Sequence, residues 1–280
     1  MSREVHVFGT GGLGNCLSQI AVAIHYAEKY GYKIILNNRS SHFHFGTANY
    51  TNRRKVHARD GHPVSYKDTV YNTPHLTFAD IPSHFSYQTI QNDYTANLPA
   101  PTSPYLRVGG YSQNFDLYKD IVSALPKYFR TDWPEHSEYI QKKYGIDPTK
   151  KNIMLGVRIC DDFKHMTRIQ TKSYAAALEQ CVASDETDYT LVVLTDTLVG
   201  LSDKLDFPIR GRVVVVDEDD ILQFQTGMLC SHFILSESTY HYWIALMKYA
   251  KDPSVKVVLF NNTDLTSRNM QAPDWITVDY

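Results

Sequence analysis

Apolar positions along this chain follow a strand rhythm in some stretches and a helix rhythm in others, and the first change of rhythm is the most informative. Glu4 to Phe8 reads as a short apolar strand, and Gly9-Thr10-Gly11-Gly12-Leu13-Gly14-Asn15 follows it. From near Asn15, Leu17, Ile20, Ala21, Ile24 and Ala27 recur at three- and four-residue steps, which predicts a helix with one face on a sheet. Gly31 stops that helix at the position that tolerates positive φ, and Lys33 to Asn37 returns as a strand. The unit is β-loop-α-β with a right-handed crossover. It aims a helix N-terminus and a glycine loop at the carboxyl edge of a sheet, a place suited to a phosphate. Glycines at 9, 11, 12 and 14 are expected to clear side chains from the ligand's path.

Between Asn38 and Pro104 the periodicity weakens and His, Asn, Thr and Pro accumulate, which predicts a loop-rich insertion over 38–104. Tyr105 to Tyr111 reads as a strand, Asp116 to Phe129 as a helix with Leu117, Ile121 and Leu125 inward, and Glu135 to Tyr144 as another helix. Beyond the Asp147-Pro148-Thr149-Lys150-Lys151 turn, apolar runs at Asn152–Arg158, Thr190–Thr195, Arg212–Val216, Phe233–Leu235 and Lys256–Phe260 alternate with helical segments. That is the pattern of a parallel, doubly wound sheet. The expected fold is α/β: two Rossmann-like halves, 1–148 and 149–280, facing each other across a cleft that holds the ligand.

Bulk properties exclude several classes. With 280 residues, 43% of them hydrophobic, the chain can bury a substantial core. A net charge of −2, with both signs interspersed, gives no nucleic-acid footprint and no membrane-surface patch. No run reaches the roughly 18 apolar residues of a membrane span, so a cytoplasmic protein without an anchor is expected. Cys16, Cys160, Cys181 and Cys230 lack paired spacing, which argues for reduced thiols over a zinc site or disulfide framework. His42, His44, His57, His62, His75 and His84 fall in the insertion, but none pairs at helical spacing beside a carboxylate, so surface histidines are expected. Arg53, Arg54, Lys55 and Arg59 form a local basic cluster, read as a solvated face.

Gly9, Gly11 and Gly14 satisfy a G-x-G-x-x-G dinucleotide pattern. An NAD enzyme would also need an acid at the end of the second strand, where this chain has Asn37 and Asn38. An NAD-dependent Rossmann enzyme is therefore a subordinate alternative, beside a tight turn with no ligand.

Gly11-Gly12-Leu13-Gly14-Asn15-Cys16-Leu17-Ser18-Gln19-Ile20-Ala21 resembles the G-G-L-G-N-Q-L-F-Q opening of the α-1,2-fucosyltransferase family, glycosyltransferase family eleven. Further motifs follow in the same order. Gly109-Gly110-Tyr111-Ser112-Gln113 is similar to the family's G-Y-x-Q stretch. Leu155-Gly156-Val157-Arg158-Ile159-Cys160-Asp161-Asp162-Phe163 sits where the family carries H-x-R-R-x-D, with Gly156 and Ile159 in place of its histidine and second arginine. Leu191 to Asp196 resembles the family's strand ending in S-D. The run from Cys230 through Ser236-Glu237-Ser238-Thr239-Tyr240-His241-Tyr242-Trp243 is similar to C-x-H-x-I-x-S-N-S-T-F-S-W-W, with Glu237 in place of the asparagine. Unanchored viral enzymes that build capsid glycans in algal hosts are a further likeness, by setting alone.

The resemblance implies a GT-B-like, inverting, sugar-nucleotide-dependent glycosyltransferase. Its 1–148 half would serve the acceptor, approached by the Gly11 to Asn15 loop, and its 149–280 half would bind the nucleotide sugar. Donor contacts fall on Gly12, Gly14, Asn15, Arg158, Asp161, Asp196, Ser236, Ser238 and Thr239. Catalytic candidates are Arg158, which would neutralise the departing diphosphate, and Asp162 or His165 as general base. Asp60 and Asp93 remain open as alternative bases. The partners implied are a nucleotide sugar and a glycan acceptor, with no cofactor and no metal expected. The resemblance points to GDP-fucose, and UDP-xylose is ranked level with it because a smaller sugar and a smaller base fit a site that has lost the side chains at Gly156 and Ile159. Lys164 or Arg168 would replace the missing basic groups if the donor is GDP-fucose.

Two residues carry structural alternatives. Arg158 could simply pair with Asp161, and Asp196 could either accept from a base or ribose or cap the next helix. Val213 to Val216 followed by Asp217-Glu218-Asp219 matches a D-x-D metal motif of the other glycosyltransferase architecture; it is read here as a loop of solvated acids. A non-catalytic member that binds a glycan or nucleotide stays open as well.

Overall fold

The computed structural model describes residues 2–44, 65–82, 85–91, 94, 96–159 and 169–279. It divides the chain into one unit of Met1–Thr131 with Arg268–Met270 and another of Asp132–Ser267 with Gln271–Tyr280. The boundary falls before the helix expected to close the first half. Pro134–Tyr144 packs on the Asp220–Met228 helix of the second unit. Trp133 N–H donates to Gln225 Oε1 at 3.1 Å, and Lys143 Nζ donates to Glu218 at 2.5 Å.

In the first unit, strands β1 (Glu4–Val7), β2 (Lys33–Asn37), β3 (Leu76–Ala79), β4 (Gln88–Gln91) and β5 (Tyr105–Gly109) form a parallel sheet in the order β3-β2-β1-β5-β4. The strand order reverses between β1 and β5, so the loops after these two strands share one stretch of carboxyl edge. The expected insertion thus contributes two strands. Their signal is weak because each is four residues long and only partly buried.

The Leu13–Tyr30 helix follows β1 and ends on Gly31 at φ +72°, whose N–H bonds the Ala27 carbonyl at 3.0 Å. Its first turns are buried almost all round rather than on one face, because Gly14, Cys16, Ser18, Ala21 and Ala23 are small enough to be covered. The expected Asp116–Phe129 helix is instead a series of short 3₁₀ turns and one α-turn, Leu125–Tyr128. Pro126 has no N–H to continue a longer ladder.

The second unit holds β6 (Asn152–Val157), β7 (Thr190–Thr195), β8 (Arg212–Val216), β9 (His232–Ile234), β10 (Lys256–Phe260) and β11 (Ile276–Val278), parallel and ordered β11-β10-β9-β6-β7-β8. β6 is buried at every position and sits where the order reverses, between β7 and β9. Ile153, Leu155, Val157, Leu191, Val193 and Ile234 pack there with Tyr174, Ala177 and Leu178 of the Thr171–Cys181 helix. Burying these side chains, at about 25 cal/mol per Å² of apolar surface, stabilises the sheet that carries the strand ends.

Two parallel α/β sheets are therefore present as expected. Cys16, Cys181 and Cys230 are free and buried, and burial pushes each thiol up to about 12. Cys160, His57, His62, His84 and the basic cluster at 53–59 lie outside the described residues. Among the described residues no helix is long and apolar enough to cross a membrane.

Candidate functional site

The carboxyl edge of the second sheet gathers the residues singled out from the sequence. Arg158 follows β6, Asp196 follows β7, and Ser236 to Thr239 follow β9, so three neighbouring strands deliver them to the switch point. A crevice at such a point receives ligands in open α/β sheets generally. Arg158 Nε lies 3.3 Å from Asp196 Oδ2, with the two side chains 12% and 8% exposed. Asp196 Oδ1 also accepts the Ile159 N–H at 2.9 Å. The carboxylate thus fixes both the side chain and the backbone at the end of β6. This corrects the alternative that Asp196 caps a helix: its oxygens face β6.

Past β9, Leu235 still bonds the sheet through Val258 O at 2.9 Å, and Ser236, Glu237 and Ser238 then turn, all nearly buried, into the Thr239–Lys251 helix. Ser238 takes the N-cap position, yet its side chain makes no capping hydrogen bond. Ordinary N-capping is therefore not what its hydroxyl does. Ser236 Oγ is instead 2.9 Å from His241 Nδ1. Beneath this edge lies buried Tyr174, whose hydroxyl pKa is raised by burial first and then by the charges of Glu237 and Asp196. One guanidinium and two carboxylates thus share the region.

Gly156 is not an empty place. A Cβ built on it would stand 2.4 Å from His241 Nδ1 and 2.7 Å from its Cγ, closer than real Cβ contacts allow. The imidazole occupies what looked from the sequence like lost volume. Ile159 is half-buried and packs against the core cluster of this sheet. Asp161, Asp162, Lys164, His165 and Arg168 lie outside the described residues.

Gly12, Gly14 and Asn15 belong to the first unit. Gly9 has φ +71° and packs on Phe43, and Gly11 has φ +80° with a Cβ position 2.2 Å from Asn15 Nδ2. These two glycines are required by the chain's own packing, against the expectation that they clear room for a ligand. Gly12 differs, since a Cβ there would meet nothing within 4 Å. Gly14 is buried in the helix, and its carbonyl accepts from Ser18 Oγ at 3.2 Å. Asn15 Oδ1 accepts from Gln113 Nε2 at 2.7 Å, which joins the glycine loop to the loop after β5. Arg268 completes the chain: its Nη1 donates to Gln113 Oε1 and its guanidinium lies 4.8 Å from the Tyr94 ring centroid. Nothing in the sequence marked Arg268, because its partners lie about half the chain away.

Of the acids after β8, Asp217 is exposed as expected, whereas Glu218 and Asp219 are engaged. Glu218 accepts from Tyr139 Oη at 3.1 Å, Tyr144 Oη at 2.8 Å and Lys143 Nζ. Asp219 caps the Asp220–Met228 helix by accepting from Ile221 N–H and Leu222 N–H at 2.8 and 2.9 Å. Burial nevertheless raises the Asp219 pKa, with those two bonds opposing the shift. Among the described residues no group of three or more His, Cys, Asp and Glu side chains is placed to hold a metal ion. His42 and His44 bond the backbone carbonyls of Gly11 and Asn38 at 3.0 and 3.1 Å, so these histidines have structural roles.

No family model matches the chain, and no curated protein does. Solved structures do. A NodZ fucosyltransferase from Bradyrhizobium matches with TM-score 0.55 at 12% identity, over 94% of this chain and 96% of the other. An Arabidopsis thaliana FUT1 variant in complex with GDP matches with TM-score 0.57 at 11% identity, over 98% of this chain and 73% of the other. A family 9 glycosyl transferase from Veillonella parvula matches with TM-score 0.53 at 8% identity, over 100% and 88%. The fold is that of GT-B-like, fucosyltransferase-like proteins.

Proposed function

We propose that the protein is an inverting glycosyltransferase of the family-eleven type, which moves a sugar from a nucleoside diphosphate to a hydroxyl of an acceptor glycan. The observation that carries this reading is Arg158 at the β6 switch point, beside a helix start whose N-cap serine does not cap it. A guanidinium and a helix N-terminus are complementary to a diphosphate. The fold likeness supports the same reading. NodZ has been crystallised with GDP and soaked with GDP-fucose, and the FUT1 variant was in complex with GDP.

In the proposed reaction the acceptor oxygen attacks the anomeric carbon from the face opposite the diphosphate. The bond from that carbon to the β-phosphate oxygen breaks, its electron pair leaves with the diphosphate, and the acceptor proton passes to a general base. Arg158 acts on the leaving group, where charge grows in the transition state. Ser236, Ser238 and Thr239 contact the phosphates, while Asp196 holds Arg158 in place. Asp161 as a donor contact and Asp162 or His165 as base rest on the sequence. Gly12, with open space above its Cα, is the first-unit position proposed to lie against substrate; Gly14 and Asn15 support it from the helix. No metal is assigned, and the setting is proposed to be cytoplasmic.

The donors UDP-xylose and GDP-fucose stay level. With His241 filling the space at Gly156, lost volume at that position does not favour the smaller one. The test is release of UDP or GDP from each donor on addition of an acceptor sugar. Acceptor-dependent release of one nucleotide supports transfer and names the donor. Binding without release would make the protein a non-catalytic member, and no release or binding would end the reading.

A further inference from the structure

Resting on the donor site proposed above, we propose that His241 is a positioning residue of that site, seated in the space of a residue-156 side chain and holding the Ser236 hydroxyl ready to donate to a phosphate oxygen. Gly156 lies in the fully buried central strand, where glycine forgoes packing and marks a close approach. Here the approach is made by an imidazole. Its Cγ would lie 2.7 Å from a Cβ at 156, and because Cγ does not move when the ring turns about χ2, only a change of the χ1 rotamer would relieve the contact. Positions 156 and 241 therefore share one volume. The resembling sequence pattern has a histidine at the first place and a serine at the second, and this chain carries the small and large residues the other way round.

His241 is the third residue of the Thr239–Lys251 helix and 3% exposed. Side chains on a helix lean toward its N-terminus, which carries this ring back to Ser236, five residues earlier, with Nδ1 and Oγ 2.9 Å apart. Most of its buried helix neighbours, including Tyr242, Trp243, Ile244 and Leu246, are large and apolar. An imidazole among them is retained against its desolvation cost by such a bond. The direction of the bond decides its use. With the proton on Nδ1, His241 donates to Ser236 Oγ, and the serine's own proton remains for an anionic oxygen.

The experiment is a calorimetric cycle with UDP and with GDP on wild type, S236A, H241L and S236A/H241L, with H241N as the conservative variant. If His241 acts through Ser236, S236A and H241L each weaken the diphosphate about tenfold or more. The double variant is then no weaker than either, and H241N, which retains a donor, recovers to within about threefold of wild type. Additive losses, or H241N as weak as H241L, would overturn the assignment. Imidazole ¹⁵N spectra of the wild type supply a reading that needs no variant to fold. A protonated Nδ1 that shifts in S236A is expected, and an unprotonated one overturns the assignment. A wild type that binds neither diphosphate overturns the donor site and this role together, whereas binding with additive losses overturns only the role of His241.

Discussion

Arg158 and Asp196 are joined across the ends of two adjacent strands, Nε to Oδ2 at 3.3 Å, while the other oxygen of the same carboxylate accepts the Ile159 N–H at 2.9 Å. The contact keeps a guanidinium charge at the switch point. It separates two variants that a surface ion pair would not. Arg158→Ala removes the proposed leaving-group contact and should lower kcat/KM 10²-fold or more, in line with losses of about 3 kcal/mol for a transition-state donor. Asp196→Ala should lower kcat/KM as well. It should also destabilise the fold by about 3 kcal/mol in urea, because it strands a nearly buried arginine and an Ile159 N–H. Equal, near-wild-type transfer by both variants would remove Arg158 from the reaction.

The glycine loop gives a contrast of neighbours. Gly11→Ala must adopt φ +80° with its Cβ 2.2 Å from Asn15 Nδ2, and should cost more than about 1 kcal/mol in chemical denaturation. Gly12→Ala has extended backbone at φ −79° and open space, so its stability should change by no more than about 0.5 kcal/mol. A rise in KM in Gly12→Ala at unchanged stability would identify substrate contact there.

This contrast also shows what the sequence could and could not disclose. The second sheet was legible because strands buried on both faces read as unbroken apolar runs, as Asn152–Val157 does. β3 and β4 were not, since Leu76–Ala79 and Gln88–Gln91 are short and half-exposed. The glycine motif was found, but which glycine faces open space depends on Phe43 and Asn15 in three dimensions. Arg158 and Ser238 were marked by their motifs. The exchange between Gly156 and His241 and the Arg268–Gln113 contact are long-range, and no local pattern encodes them.

The acids after β8 lead to a different expectation. Asp219→Ala removes a helix cap and should cost about 1 kcal/mol of stability while leaving kcat unchanged. Transfer should likewise persist after dialysis against a chelator. Loss of activity on chelation, restored by Mn²⁺ or Mg²⁺, would return the D-x-D reading.

His232, at the start of β9, supplies a pH dependence. Burial first, then Lys151 and Lys256, lower its pKa to about 4, so the folded protein keeps it neutral well below the usual range. Below about 6.5 the unfolded chain takes up a proton that the native state refuses. The stability that neutral His232 carries is therefore present above about 6.5 and is lost as pH falls toward about 4. Urea midpoints should decline across that window in the wild type and less steeply in His232→Gln; parallel declines would show that other groups set the slope.

The most direct test of the central claim, a nucleotide-sugar site at the carboxyl edge of the second sheet, is a thermal-shift titration with UDP, GDP, UDP-xylose and GDP-fucose on the wild type and on Arg158→Ala. A ligand that binds only the native state adds about 2.7 kcal/mol of stability at 100-fold over its Kd. The account predicts a clear upward shift with one base and its sugar conjugate, much reduced in Arg158→Ala. Silence from all four nucleotides, or a shift of the same size in the arginine variant, would contradict it.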